Sequence, residues 1–409
     1  MDSINVLKYM EKRQLGYTGL KSKLSDMLIG QMGYIPQTND NTHNIYCVGK
    51  TYACKFSRNK NNLHIVGVST DYGEIIVQNT IGHYNDQNKE FKRHTVHISS
   101  IFDFAWAEPQ MKLITACRDG ISKLCNLSPS GVLAEERVFI HNSSVKSVMF
   151  CPGSSDVFCV GCQDGSVKIW DARLNNDRIV LECDSGTRLN KITSKKSVGL
   201  SSVIFKTDQT VLSCCSMDQY INLWDLRKSY SQVNGNKEHQ PLMKYFNEMT
   251  MPIKIYGYIN IITNPQSTLM YASGINNVIY CYSLDSTETN PICKYYGHLN
   301  RTWFSKISIS HDGRYLFSGC RENGGYIWLT DFPYNINPMF KINKYDKKFH
   351  KMDLKASDWC ADSTSTKLVT SSNSMPMVWS ILTHEQKKFE KYSICPTLWY
   401  KSRKSSVKI

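Results

Sequence analysis

The chain has 409 residues, with 41% hydrophobic and 11% aromatic side chains, enough for two ordinary domains or one large closed β architecture and too apolar for a disordered polypeptide. A formal charge of +14 points to acidic partners such as nucleic acid, chromatin or an acidic protein surface, but the cations are spread along the chain. The start, MDSINVLKYMEKRQ, is charged, and no apolar run approaches bilayer length, so the 15 cysteines are expected in a soluble, reducing setting as small strand hydrophobes.

Residues 1–30 hold two patterns, INVLKYMEK and LKSKLSDMLIG, that predict short amphipathic helices. Residues 31–48 read as a polar link. It ends in an apolar strand, Ile45–Val48, expected to complete the last unit of a ring.

A repeat follows. DGSVKIWDAR (Asp164–Arg173) and DQYINLWDLR (Asp218–Arg227) each set an acidic residue six places before a tryptophan and close with Trp-Asp-x-Arg. Weaker copies put Gln78, Cys125, Tyr282, Trp328 and Trp379 in the tryptophan slot, at roughly 45–58 residue spacing. Strand pairs precede the copies, as in SVKSVMF with DVFCVGC and LSSVIF with TVLSCCS. These features predict an all-β, seven-bladed WD40-type β-propeller with a short N-terminal helical segment. The expected divisions are an N-terminal segment and link at 1–48, the propeller at 49–386 and a basic tail at 387–409. The insert Leu174–Ser197 reads as a basic loop carrying Arg188, Lys191, Lys195 and Lys196.

Histidines precede several blades (His97, His141, His298, His350), with Asp119, Asp164, Asp218 or Glu322 in the turn and Ser/Thr in the second strand. The grouping mimics a hydrolytic triad, but it recurs once per blade, so the expected role is to hold turns. Cys159 and Cys162 have CxxC spacing inside one strand, where they face opposite ways, so no metal is assigned. No phosphate-cradling loop, EF-hand or nucleophile elbow occurs, and no cofactor and no enzymatic activity are expected.

Two binding surfaces are predicted. The residue after the first apolar position of each innermost strand faces the wide channel mouth: Tyr52, Phe102, Lys146, Ser201, Tyr258, Ser305 and Lys355. Aromatics and lysines around one opening suit a peptide. On the opposite face Asp171 and Arg173, with Asp225 and Arg227, project from adjacent blades. The aspartates have local backbone donors to satisfy, whereas the arginine forks suit a partner's carboxylates or carbonyls.

Trp-Asp-x-Arg in a blade resembles the WD-repeat substrate receptors of cullin-4 RING E3 ubiquitin ligases, and within them the denticleless family. The similar stretches are SSIFDFAWAEPQMKLITACRDG (Ser99–Gly120), SVKSVMFCPGSSDVFCVGCQDGSVKIWDAR (Ser144–Arg173), INLWDLRKSYSQ (Ile221–Gln232) and NPICKYYGHLNRTWFSKISISHDGRYLFSG (Asn290–Gly319). The resemblance implies that Asp171, Arg173, Asp225 and Arg227 dock the cullin-4 adaptor, the damage-specific DNA-binding protein propeller subunit. It implies that the N-terminal helical segment inserts into the adaptor. The mouth would take a degron from replication and cell-cycle proteins bound to the sliding clamp. That degron carries basic residues, so acidic groups near the mouth matter as well. The basic loop would face clamp or DNA, the setting would be nuclear, and no membrane is implied. Two departures stand out: Cys125-Asn126 replaces Trp-Asp in the second blade, and about thirty residues follow Trp379 where the family has a long extension with a clamp-binding motif. The alternative reading is a WD-repeat scaffold in RNA processing or chromatin assembly.

Overall fold

The structure, a computed structural model, describes residues 29, 32–34, 49–80, 92–174, 181–184, 199–228, 241–246, 257–299, 305–320, 324–330, 337–344, 354–361, 367–371, 376–381 and 392–396. From the centre outward, blade one is Thr51–Phe56, Ile65–Thr70, Glu74–Asn79 and Lys92–Thr95. Blade two is Ile101–Trp106, Lys112–Cys117, Ile121–Leu127 and Leu133–Ile140, and blade three is Val145–Phe150, Val157–Cys162, Ser166–Asp171 and Leu181–Asp184. Blade four is Leu200–Thr207, Thr210–Cys215, Tyr220–Asp225 and Met243–Phe246, and blade five is Tyr258–Thr263, Leu269–Gly274, Ile279–Ser283 and Cys293–Tyr295. Blade six is Ile307–Ile309, Tyr315–Cys320, Gly324–Leu329 and Phe340–Lys344, and blade seven is built on Ala356–Trp359, Leu368–Ser371 and Pro376–Ile381. Each innermost strand touches those of the blades before and after it, and the first touches the seventh, which closes the ring.

Middle strands such as KLITAC and YLFSGC are buried on both faces, because each blade is sandwiched between two others. The apolar core accordingly splits into seven clusters, one for each blade–blade interface. Six of the seven slot residues pair with the second residue of their middle strand, as in Val66↔Gln78 and Phe158↔Trp170, and Trp379 pairs with Leu368, the first residue of its shorter one. Trp170, Trp224, Tyr282, Trp328 and Trp379 each pack into the interface with the preceding blade. Cys125 does the same between blades one and two, so losing tryptophan there costs area and leaves the register intact. Twelve cysteines are buried and free, among them Cys159 and Cys162, which lie in different interface clusters.

The ends of the chain differ from expectation. Met32–Tyr34, inside the stretch expected as link, pairs antiparallel with Pro376–Ile381 and is the fourth strand of blade seven. Ile45–Val48 lies outside the described residues, so the closing strand is an earlier segment than the one predicted. Tyr392–Pro396, inside the expected basic tail, pairs on one side with Met32–Tyr34 and on the other with Phe340–Lys344. Blades six and seven are thereby joined along their outer edges into one nine-stranded sheet, and the propeller sheet extends beyond 49–386 in both directions. The helices predicted within residues 1–30, Ile29 apart, and the loop with Arg188, Lys191, Lys195 and Lys196 fall outside the described residues. Ile29 alone of that region is described, helical and buried beside Met32.

Candidate interaction surfaces

The mouth is shaped by one irregularity repeated around the ring. In blades one to five the innermost strand carries a β-bulge at its first turn, and the bulged residue is skipped by the ladder. A bulge re-aims its side chain. In the first four blades the skipped residues are the predicted Tyr52, Phe102, Lys146 and Ser201. In blade five it is Ile259, and the predicted Tyr258 is wrong by one place: it occupies the core position held elsewhere by Val145 or Leu200. There it is 3% exposed, with its hydroxyl 2.7 Å from that of Tyr282. Tyrosine fits because its ring fills an apolar slot while the buried hydroxyl finds a partner.

The seven positions are not equivalent in reach. Tyr52 and Phe102 meet edge to face with centroids 5.3 Å apart, and the Lys146 ammonium lies 3.9 Å from the Phe102 ring centre. By contrast, Ser201 donates to the Tyr258 carbonyl at 2.6 Å, Ser305 is 2% exposed, and Lys355 is half-buried. The ring of contacts expected from counting becomes a sector on blades one to three. A residue that counting missed completes it: Arg118, exposed on the tight turn that Gly120 closes with a φ of 80°. Burial, with the Arg118 charge adding to it, lowers the pKa of Lys146. Burial and Asp71 raise that of Tyr52, while Ser100 and Arg118 oppose them.

Below the mouth the channel encloses a cavity of about 270 Å³. Its wall holds charges that sequence reasoning passed over. Asp103 is clamped by Lys55 at 2.8 Å and Lys306 at 2.5 Å, and Asp358 by Arg58 at 2.8 Å. Burial works against ionisation of Asp103, but the two lysines outweigh it and hold its pKa below the usual carboxylate value. Burial pulls Lys306 down and pushes Asp358 up. Side chains on this wall also stitch blade to blade, since Ser147 accepts the Val203 N–H and Asn260 accepts the Ile307 N–H, both at 3.1 Å. The available signal was a charged residue inside an otherwise buried strand, as in IFDFAW.

On the opposite face the two Trp-Asp-x-Arg endings superimpose in chemistry. Arg173 donates from Nε to Asp171 Oδ1 at 2.9 Å and from Nη2 to Oδ2 at 2.6 Å. Arg227 donates the same pair of bonds to Asp225, both at 2.9 Å. Each aspartate also accepts the backbone N–H of its own arginine. These bonds, the side-chain ones foremost, hold Asp171 below its ordinary pKa and Asp225 at about 2. The arginine side chains are nonetheless 68% exposed. Two of five N–H groups are committed to the fork, and the rest face outward from adjacent blades.

The histidine sets are uneven. His97 joins Asp119 at 3.0 Å and Thr115 at 2.7 Å, His141 joins Ser122 at 3.1 Å and packs on Trp170, and His298 packs on Trp328. His350 and Glu322 lie outside the described residues. Burial lowers His97, and it takes His141 and His298 to about 4, so all three rings are neutral. The hydrogen-bonded rings of His97 and His141 suit the turn-holding role, whereas His298 contributes a ring packed on Trp328.

The WD40 family, described as WD domain, G-beta repeat, matches residues 135–171, 186–225 and 289–328. The chain is 28% identical over 302 residues to Protein lethal(2)denticleless of Drosophila melanogaster, covering 68% of this chain and 39% of that protein. It is 28% identical over 350 residues to Denticleless protein homolog B of Xenopus laevis, covering 79% of this chain and 46% of the relative. With Denticleless protein homolog of Homo sapiens it shares 26% identity over 352 residues, 81% of this chain and 46% of the relative. The chain thus spans about half the length of these relatives, or less.

Proposed function

This seven-bladed chain belongs to the denticleless family of WD-repeat proteins, and on that premise we propose that it is the substrate-recognition subunit of a cullin-4 type E3 ubiquitin ligase. In this reading it catalyses nothing itself. It works in the nucleus and recruits replication and cell-cycle proteins bound to the sliding clamp for ubiquitination.

The observation that carries the reading is the duplicated Asp-x-Arg fork. Two identical, outward-facing guanidinium groups stand on neighbouring blades, each aimed by a bidentate aspartate. An exposed fork contributes little to the stability of its own chain. Its remaining donors, held at a set angle, are well suited to backbone carbonyls or carboxylates of an adaptor. The mouth on the other face is then open to substrate while the base is docked, so one rigid ring separates the two tasks.

The test is co-purification of the cullin-4 adaptor with the double variant R173E/R227E. Loss of the adaptor from a variant that melts like the parent is the expected result. Full adaptor binding by a folded double variant defeats the proposal. Strong, salt-sensitive nucleic-acid binding without adaptor would instead favour the scaffold reading in RNA processing or chromatin.

A further inference from the structure

A bar of three charges crosses the channel. Lys306, on blade six, reaches over to blade two, where its ammonium meets Asp103 Oδ1 at 2.5 Å and the Phe102 carbonyl at 3.4 Å. Lys55 of blade one meets the same carboxylate oxygen at 2.8 Å. The cavity of about 270 Å³ lies on the base side of this bar. Its wall runs from Lys55, Asp103 and Lys306 to Arg58, Glu108 and Pro152 beyond the ends of the innermost strands, and it includes none of Tyr52, Phe102 or Lys146 at the mouth. The Ala172 N–H donates to the Asp156 carbonyl, which ties these inner turns to the base that carries Arg173.

The charges of this chamber do not cancel around the bar. Blades three, four and five line it with no charged side chain. Arg58 and Asp358 form one neutral pair, and Glu108 sits at the exposed rim, where it accepts the Gly153 N–H and solvent screens it. At the bar two ammonium groups share one ionised carboxylate, so one positive charge is in surplus. Lys306 registers the surplus: burial foremost pulls it down to about 8, with Lys55 adding to the fall and Asp103 opposing it.

From the bar and the chamber beside it we propose that the channel binds one small free oxyanion, a carboxylate or a tetrahedral phosphate-type group, seated against Lys55 and Lys306 on their base side with the Arg58 guanidinium over it. Arg58 gives one nitrogen to Asp358 at 2.8 Å and another to the Trp359 carbonyl at 3.5 Å, and three of its five N–H groups take no part in these bonds. A monovalent anion cancels the surplus charge in a site walled off from bulk water, where such an interaction is stronger than at the surface. The anion comes free in solution and not as a partner's side chain, because the bar is deep. Lys306 stands three residues before Ile309, the end of its innermost strand, which is about 10 Å at the rise of a strand. An Asp or Glu of a protein seated on the base falls short of that depth. Bound there, the anion ties blades one, two and six together across the point where the ring closes, and a ligand held only by the folded ring raises its stability. The inference goes beyond the ligase reading and does not depend on it.

The experiment titrates the full chain with sodium sulfate and, separately, with sodium acetate, at an ionic strength held constant with chloride. Binding is read by calorimetry and by melting temperature. At least one anion is expected to bind and to raise the melting temperature, sulfate if the site takes a tetrahedral group and acetate if it takes a planar one. K306M and K55M each leave Asp103 with a single lysine and no surplus charge. Both should fold and should weaken the anion about tenfold or more. Calorimetry in two buffers of different ionisation heat adds a readout that a general salt effect does not move. At pH 8.5 Lys306 is partly neutral, so the parent should take up protons as the anion binds, and at pH 6.5 it should take up none. A parent that binds neither anion, folded K306M and K55M that bind as the parent does, or binding at pH 8.5 without proton uptake each overturns the proposal. Where one variant fails to fold, the other and the proton uptake of the parent decide.

Discussion

At the base of the ring Arg173 and Arg227 each spend two N–H groups on the aspartate two residues earlier that ends the preceding strand. At the mouth Arg118 and Lys146 share a sector in which the turn aspartates are committed to backbone amides. Both faces therefore present basic groups, but in different electrostatic states. The base offers oriented, locally neutralised forks, good for directional bonds to a partner of any net charge. The mouth sets Arg118 and Lys146 beside Tyr52 and Phe102 on a face that also carries the turn aspartates, a mixed surface with no oriented fork. A net charge of +14 summed over the chain conceals this division.

What ties the faces together is the channel wall, and the largest expected effect comes from breaking it. D103A leaves the half-buried Lys55 and Lys306 without their counter-charge and should destabilise the chain by about 3 kcal/mol. Denaturant melts of D103A check this, and a loss well under 1 kcal/mol would mean that the triad is solvated in solution. Acid comes next. His141 and His298 titrate near 4 in the folded chain and near 6.5 when unfolded. The unfolded state binds protons first as pH falls, so their contribution is complete above pH 6.5 and is lost between 6.5 and 4. Each ring accounts for up to about 3 kcal/mol across that window. Asp225, at about 2, stays ionised throughout. Hydrogen exchange at pH 5 against pH 7.5 should accordingly show the connections above the histidines opening before the base turns. Simultaneous opening would erase the distinction between the faces. The smallest effect on stability belongs to the surface cations themselves. R173A/R227A should melt within error of the parent while losing the adaptor, and a large drop in melting temperature would assign those arginines to the fold.

Much of the ring is legible from residues alone. The seven slot residues from Gln78 to Trp379 do fall at equivalent ladder positions, because a blade repeats one short-range pattern of turn, alternating strand and bulky interface residue. The same counting finds four of the bulged mouth residues and fails at the fifth, where Tyr258 fills an apolar slot through its ring and the mouth passes to Ile259. It also overlooks Asp103, since a lone acid in an apolar strand makes sense only once Lys55 and Lys306 arrive from blades one and six.

By itself, then, the sequence determined the number of blades, their register and the placement of Arg173 and Arg227 on one face, all consequences of contacts local to a repeat. Only the tertiary structure decided how the ring closes, through Met32–Tyr34 and Tyr392–Pro396 at the outer edges of blades six and seven. It alone decided which charges are paired across blades, as Asp103 is with Lys55 and Lys306. Those outcomes depend on side chains far apart in the chain that meet across blade interfaces, and no periodicity within a repeat encodes such a meeting.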